Sequence, residues 1–206
     1  KRYVLNEDNE QEILKLCCEF ASYEFESIDK MLRENEFYAE NYYNKYCMDS
    51  IFIDFLISAK KGTYANSTVE KVDSSRLGSS DYHYETNIKG NNYIYHDTYF
   101  GGTKFMGEEV VYCNSNKPIW GMNYYGVTLD KTLGEEAMDN ALRPALIKVG
   151  EDKNVIPVRG PGKYENNGYT YIFKTTGTIE NFDGIEQIYK SGKLIYELRC
   201  SGGIIE

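Results

Sequence analysis

From residue 9 the apolar positions Ile13, Leu14, Leu16, Cys17, Phe20, Ala21 and Phe25 recur at helical spacing, and Asn9 with Glu12 three residues on supplies an N-terminal cap. A second helical pattern follows Ser27 through Ile28, Met31 and Leu32. A third fits Ser50 to Lys60, with Ile51, Phe52, Phe55, Leu56 and Ala59 on one side and Gly62 as its stop. Periodicity then lapses over 62–81, a stretch rich in Gly, Ser, Asn and Asp that reads as a long loop and a candidate lid.

From Tyr82 the period changes to two. YHYE (82–85) and YIYHDTYF (93–100) flank the turn signal Lys89-Gly90-Asn91, and EEVVYC (108–113) and PIWGMNYYGV (118–127) flank Asn114-Ser115-Asn116. A helix is predicted over Gly134–Leu142, with Pro144 barring its continuation. After the rigid turn RGPGKY (159–164) come three more strands, YTYIFKTT, IEQIYK and KLIYELRC, the last two joined at Ser191-Gly192.

The two strand sets repeat one another at a shift of about 76 residues. Tyr93 and Tyr95 align with Tyr169 and Tyr171, Gly101 with Gly177, Gly107 with Gly184, Glu109 with Glu186, and Gly126 with Gly202. Shared turn glycines with shared in–out alternation imply shared backbone geometry. The fold class read from this is α+β: a helical N-terminal segment (1–50), then a duplicated antiparallel β-meander (51–206) with repeat units of about 82–127 and 164–206 and a helix between the copies. One continuous sheet with a helix on its inner face is expected, and two small packed sheets are the alternative.

Composition narrows the function classes. With 20 Tyr and 9 Phe among 206 residues, and 41% hydrophobic content, the chain suits a half-buried sheet and a sizeable core. A net charge of −9 without a run of Lys and Arg opposes direct nucleic-acid binding. The densest basic pair, Lys60-Lys61, sits at a helix end, where the dipole favours it. No signal-peptide pattern and no apolar run near ~18 residues is present, and five cysteines without CxxC spacing read as reduced thiols. Together these predict a cytoplasmic location with no membrane partner.

The repeat also filters candidates. Positions kept in both copies, such as Tyr93, Tyr95, Gly107 and Glu109, are assigned to packing. Positions polar in the first copy and different in the second are freer for function: His96 against Ile172, Asp97 against Phe173, Glu108 against Ile185, Asn123 against Arg199, and Tyr125 against Ser201. Asp97 with His83 and Glu108 or Glu109 is the grouping suited to acid–base chemistry, as in a hydrolase. A hairpin turning at Lys89-Gly90 sets His83 opposite His96 and Asp97 opposite Tyr82. The competing reading makes these residues solvated strand positions, or hydrogen-bonding groups that steady the loop at 62–81. Two histidines without metal-ligand spacing predict no metal and no cofactor. Gly101-Gly102 with Lys104 and Gly107 lacks the ending and the helix of a phosphate loop, and reads as a turn. The strip Trp120 to Tyr125 is the remaining candidate: Asn123 and Tyr125 share one face and could hold a ligand, with Asp97 beside them and Arg159 as a cation. Core packing is the default for the Trp120 face.

FLISAKKGTYA (55–65), SSRLGSSDYHYE (74–85), YIYHDTYFGG, FMGEEVVY, PIWGMNYYG and RGPGKY, taken together, resemble an uncharacterised bacterial domain of unknown function that is sometimes found behind a helix-turn-helix of the XRE class. The resemblance covers about 52–206 and implies a role in sensing a ligand or partner. It assigns no catalytic residues. Residues 1–50 lack a basic recognition helix. Three readings stand at this stage: a module binding a small molecule or a protein segment, a hydrolase, and an interaction protein that forms a homodimer through residues 1–50.

Overall fold

The structure is a computed structural model that describes residues 50–206. The two helices expected before Ser50 lie outside the described residues.

Helix α1 spans Ser50–Lys61. Phe52, Phe55, Leu56 and Ala59 fall at the i, i+3, i+4, i+7 spacing of a single helical stripe, and all four are fully buried. Burying each large side chain contributes about 1.5–3 kcal/mol, so the stripe outweighs the weak propensity of a short helix. Gly62 donates its N–H to the Ser58 carbonyl at 2.9 Å and closes the last turn.

Eight strands follow: β1 (Ser80–Ile88), β2 (Asn91–Gly101), β3 (Lys104–Cys113), β4 (Pro118–Thr128), β5 (Lys163–Asn166), β6 (Tyr169–Thr178), β7 (Asn181–Lys190) and β8 (Lys193–Ile204). They form one antiparallel sheet in the order β1-β2-β3-β4-β8-β7-β6-β5. Two four-stranded meanders thus meet edge to edge at β4 and β8, where Tyr124 lies opposite Cys200. The halves match in detail. Their first hairpins turn on residue pairs with positive φ, Lys89-Gly90 (51°, 87°) and Asn167-Gly168 (49°, 76°), the geometry that suits the twist of paired strands. Gly101 and Gly177 both have φ of 90°. The register slips once in each half at equivalent points, Val111/Tyr112 and Ile188/Tyr189. The expected pairing of His83 with His96 and Asp97 with Tyr82 is present.

Between β4 and β5 runs α2 (residues 134–146), and it differs from the expectation. It passes through Pro144, because Met138–Leu142 widens into a π-turn just before Arg143–Leu146. Proline removes the N–H that would serve the Asn140 carbonyl. The Asn166 side-chain amide serves that carbonyl instead, at 2.9 Å.

Both helices cover the same face of the sheet, α1 over β1 and β2 and α2 over β5 and β6. On that inner face Phe55 stacks on Tyr93 at 4.9 Å between ring centres, Phe52 meets Trp120 at 6.0 Å, and Trp120 stacks on Phe182 at 6.0 Å. The Trp120 indole N–H reaches across to the Ile179 carbonyl at 2.9 Å and ties the two halves together. Among the described residues no helix is long and apolar enough to cross a membrane.

Gly107 and Gly184 hold equivalent places where the neighbouring strand crosses too close for a side chain. A Cβ on Gly107 would lie 2.4 Å from the Tyr124 hydroxyl and 2.5 Å from the Thr98 carbonyl, and one on Gly184 would lie 2.7 Å from the Cys200 sulfur. Gly107→Ala should therefore lower stability by about 1–3 kcal/mol in urea unfolding. Gly102→Ala, where nothing lies within 4 Å, should leave the midpoint nearly unchanged.

Candidate functional site

Strand parity assigns every candidate to one face or the other. Odd positions of β2 and β3 and even positions of β4 point toward the helices, so Asp97, Glu109 and Tyr124 face inward. His83, His96, Glu108, Asn123 and Tyr125 fall on the opposite, outer face.

The inner face carries a cavity of about 490 Å³ over β2, β3, β4 and β8, roofed by the end of α1, residues 63–65 and α2. Asp97, Glu109, Lys60, Tyr124 and Arg159 all line it, and the Gly101–Thr103 turn reaches its mouth. This volume lies within the usual range for small-molecule sites.

In each half of the sheet a carboxylate on this face meets a cation from the layer that covers it. In the second half Glu186 is fully buried. It accepts from Arg159 Nε at 2.9 Å and Nη2 at 2.8 Å, and from the hydroxyls of Tyr171 at 2.7 Å and Tyr196 at 3.0 Å. Burial opposes the Arg159 charge, yet Glu186 outweighs it and holds the guanidinium protonated more firmly than usual. In the first half Glu109 takes the ammonium of Lys60, which is only 7% exposed. Lys60, read from the sequence as a cation at a helix end, is thus the buried partner of a strand carboxylate.

Asp97 has no counterpart in the second half. It stands directly across from Glu109 on neighbouring strands, where the second half sets Phe173 across from Glu186. It is 4% exposed, and its one hydrogen bond among the described residues comes from the Tyr124 hydroxyl at 2.8 Å to Oδ1. Burial first, then the facing Glu109 charge, raise its pKa from the ordinary 3.8 to about 7, against the Tyr124 bond and the more distant Lys60 and Arg159. Burial also pushes the Tyr124 and Tyr95 hydroxyls far above their ordinary range, so both remain proton donors.

The outer face holds the rest. The Asp81 carboxylate is fully buried beneath residues 74–79 and bonds His96 at 2.9 Å and Thr98 at 3.1 Å. Burial disfavours its charge, but hydrogen bonds from Ser75, Ser79 and His96 hold its pKa far below the carboxylate range. His83 pairs with Glu85 at 3.5 Å, and Glu108 pairs with Arg76. Asn123 accepts from Ser201 at 3.0 Å in a shallow groove, and Tyr125 is 52% exposed. The structure therefore brings Asp97 and Arg159 to one cavity and leaves Asn123 and Tyr125 on the other side of the sheet. It likewise separates Asp97 from His83 and Glu108. Of the 62–81 loop, residues 63–65 line the cavity, while Arg76 crosses to the outer face. Among the described residues no group of three or more His, Cys, Asp and Glu could hold a metal ion. Cys200 lies buried beneath the second half, its thiol pushed up to about 12 by burial.

Sequence reasoning missed Lys60 and Tyr124, and it named Glu109 only as an alternative to Glu108 while assigning it to packing. The pairing of β2 with β3 sets odd positions across from odd ones and so puts Glu109 on the face of Asp97.

Two outcomes follow from this charge arrangement. The folded chain holds the Asp97 proton to about pH 7, whereas the unfolded chain releases it near 3.8. Its contribution is therefore fully present below pH 3.8, is lost as pH rises through 7, and is flat above. Asp97→Asn keeps an acceptor for Tyr124 and removes this slope. Its stability relative to the parent should climb across that window, by up to about 4 kcal/mol, in urea unfolding at a series of pH values. Arg159→Met should lower stability by about 3–5 kcal/mol at neutral pH, because it leaves Glu186 buried without its cation.

Comparison with known proteins places this site within a family. The model of a family described as a domain of unknown function (DUF5680) matches residues 97–205, which takes in Asp97, Glu109, Tyr124, Arg159 and Glu186 and begins after α1. No curated protein and no solved structure matches the chain. More than half of its length falls within that match, and the chain belongs to the DUF5680 family.

Proposed function

We propose that the chain is a small-ligand-binding, sensor-like module whose ligand occupies the inner-face cavity, with Asp97 as its polar anchor and Tyr124 holding that carboxyl in place. The observation that carries this reading is a paired exchange between the halves. Where the second half has Phe173 and Cys200, an apolar pair that fills its side of the sheet, the first has Asp97 and Tyr124. The exchange keeps about the same bulk, since Tyr124 fills the room that Phe173 takes in the other half, but it sets on the cavity wall a carboxyl that burial alone disfavours. Packing accounts for the bulk of Tyr124. A ligand accounts for the carboxyl.

The hydrolase reading needs Asp97, Glu108 and His83 in one cleft, and they occupy two faces. The dimerisation reading concerns residues outside those described. A reducing, cytoplasmic setting suits a module with the buried Cys200 thiol, and a sensing role suits domains that resemble those found behind XRE-class DNA-binding domains.

A metabolite library tested by thermal shift checks the proposal. A ligand held at about 100-fold its Kd should raise Tm by roughly 5–10 °C. Asp97→Phe combined with Tyr124→Cys installs the residues of the second half, and this variant should fold and lose the shift. Asn123→Ala and Tyr125→Ala, on the outer face, should keep it. A library in which no compound stabilises the chain, or a double variant that retains the shift, would sink the proposal.

A further inference from the structure

Which chemical class would such a cavity select? The charges around it give the answer once each is matched to its partner. Lys60, from α1, is taken by Glu109 of β3. Arg159, before β5, places both Nε and Nη2 on Glu186 of β7. Arg143, of α2, is paired with Asp139 at 2.7 Å. At the mouth Lys131 and Glu135 contribute one charge of each sign. Asp97 remains. It is surrounded by Tyr82 of β1, Glu109 across the strand pair and Tyr124 of β4, and only Tyr124 bonds it.

The walls are aromatic. Tyr64, Tyr95, Tyr99, Phe105 and Tyr196 line the space, with Phe105 and Tyr196 stacked at 6.2 Å. Ring faces attract cations, most strongly where water is excluded. This cavity's own rings already do so: the Lys60 ammonium lies 5.8 Å from the centre of Tyr95, and the Arg143 guanidinium 5.3 Å from that of Tyr64. An anion at Asp97 would meet Glu109 as well, while the cations that act on Asp97, Lys60 and Arg159, are already held by carboxylates. A neutral guest would leave Asp97 holding its proton and gain no charge interaction there.

Building on the reading of this cavity as a ligand site, we infer that its ligand is a small organic cation, a primary ammonium or amidinium on an apolar body, whose charged group sits on the Asp97 carboxylate against the tyrosine faces. Binding then releases the proton that Asp97 holds in the empty cavity. The N–H groups of the cation donate to the carboxylate, the O–H bond of the Asp97 carboxyl is the one bond broken, and its proton passes to solvent water. The elevated Asp97 pKa makes this exchange visible near neutrality, because a neighbouring cation favours the ionised form.

Three probes of one shape separate the classes: phenethylammonium, 2-phenylethanol and phenylacetate, titrated calorimetrically into the full chain. Phenethylammonium should bind at least about tenfold more tightly than the alcohol, and phenylacetate most weakly. Its affinity should rise between about pH 6 and about pH 8 with net proton release, since the carboxylate must be ionised to receive it. Asp97→Asn should bring the ammonium down to the level of the alcohol, flatten the pH dependence and leave the alcohol unmoved. Alcohol or acid binding as tightly as the ammonium, or an Asp97→Asn variant with unchanged preference, overturns the cation assignment while leaving the cavity a ligand site. If none of the three binds, the cation assignment falls alone when the metabolite library yields a hit, and together with the cavity reading when it yields none.

Discussion

A carboxylate buried on the helical face of each half-sheet, met by a cation from the layer above, is the interaction on which this architecture turns. Water cannot reach Glu186, and a buried charge without partners is costly by several kcal/mol. The fold answers with the Arg159 fork and two tyrosine hydroxyls, which occupy both carboxylate oxygens. Such groups add little net stability over an apolar core, but they accept few alternative arrangements. Glu109 imposes the same requirement on the first half and draws the end of α1 down to it through Lys60. The height and position of the roof over the cavity follow from these two ion pairs together with the Phe52, Phe55 and Trp120 contacts.

Much of the fold was legible in the sequence because its signals are local and doubled. Positive-φ turns written as Lys89-Gly90 and Ser191-Gly192, and glycines at close crossings such as 107 and 184, leave marks in composition that survive without knowledge of the tertiary structure. Two copies of the same marks give the register of each half. Helix α2 was harder to read. Pro144 stops an ordinary helix, and the feature that lets this one continue is a π-turn whose freed Asn140 carbonyl is met by Asn166, a residue 26 positions further along the chain. Nothing local to Pro144 announces that partner.

The site was half legible for a related reason. Comparing the copies singled out Asp97 as one position where they part, and the structure sets it with Arg159 on one cavity. The comparison treats a shared residue as inert, however, so Glu109 was assigned to packing although it is the charge that Asp97 faces. It also pooled residues of both faces. Asn123 and Tyr125 differ between copies as much as Asp97 does, yet alternation along β4 turns them away from the helices while Tyr124 turns toward them. Lys60 gave no sign of burial, because the end of a helix is where an exposed lysine is expected.

The contrast between halves bears on selection as well as geometry. A structure that needed only to stand could repeat the solution of its second half, where Phe173 lies against Gly184 and Cys200 with no polar group between them. The first half instead sets two carboxyls across one strand pair, an arrangement that like-charge repulsion and burial both oppose. Stability is lost at Asp97 across the pH range in which the unfolded chain would be ionised. On the proposed reading of the cavity, Asp97 is where this architecture gives up stability for binding. The second half then serves as an internal control: it is what this sheet becomes when the same position is asked only to pack.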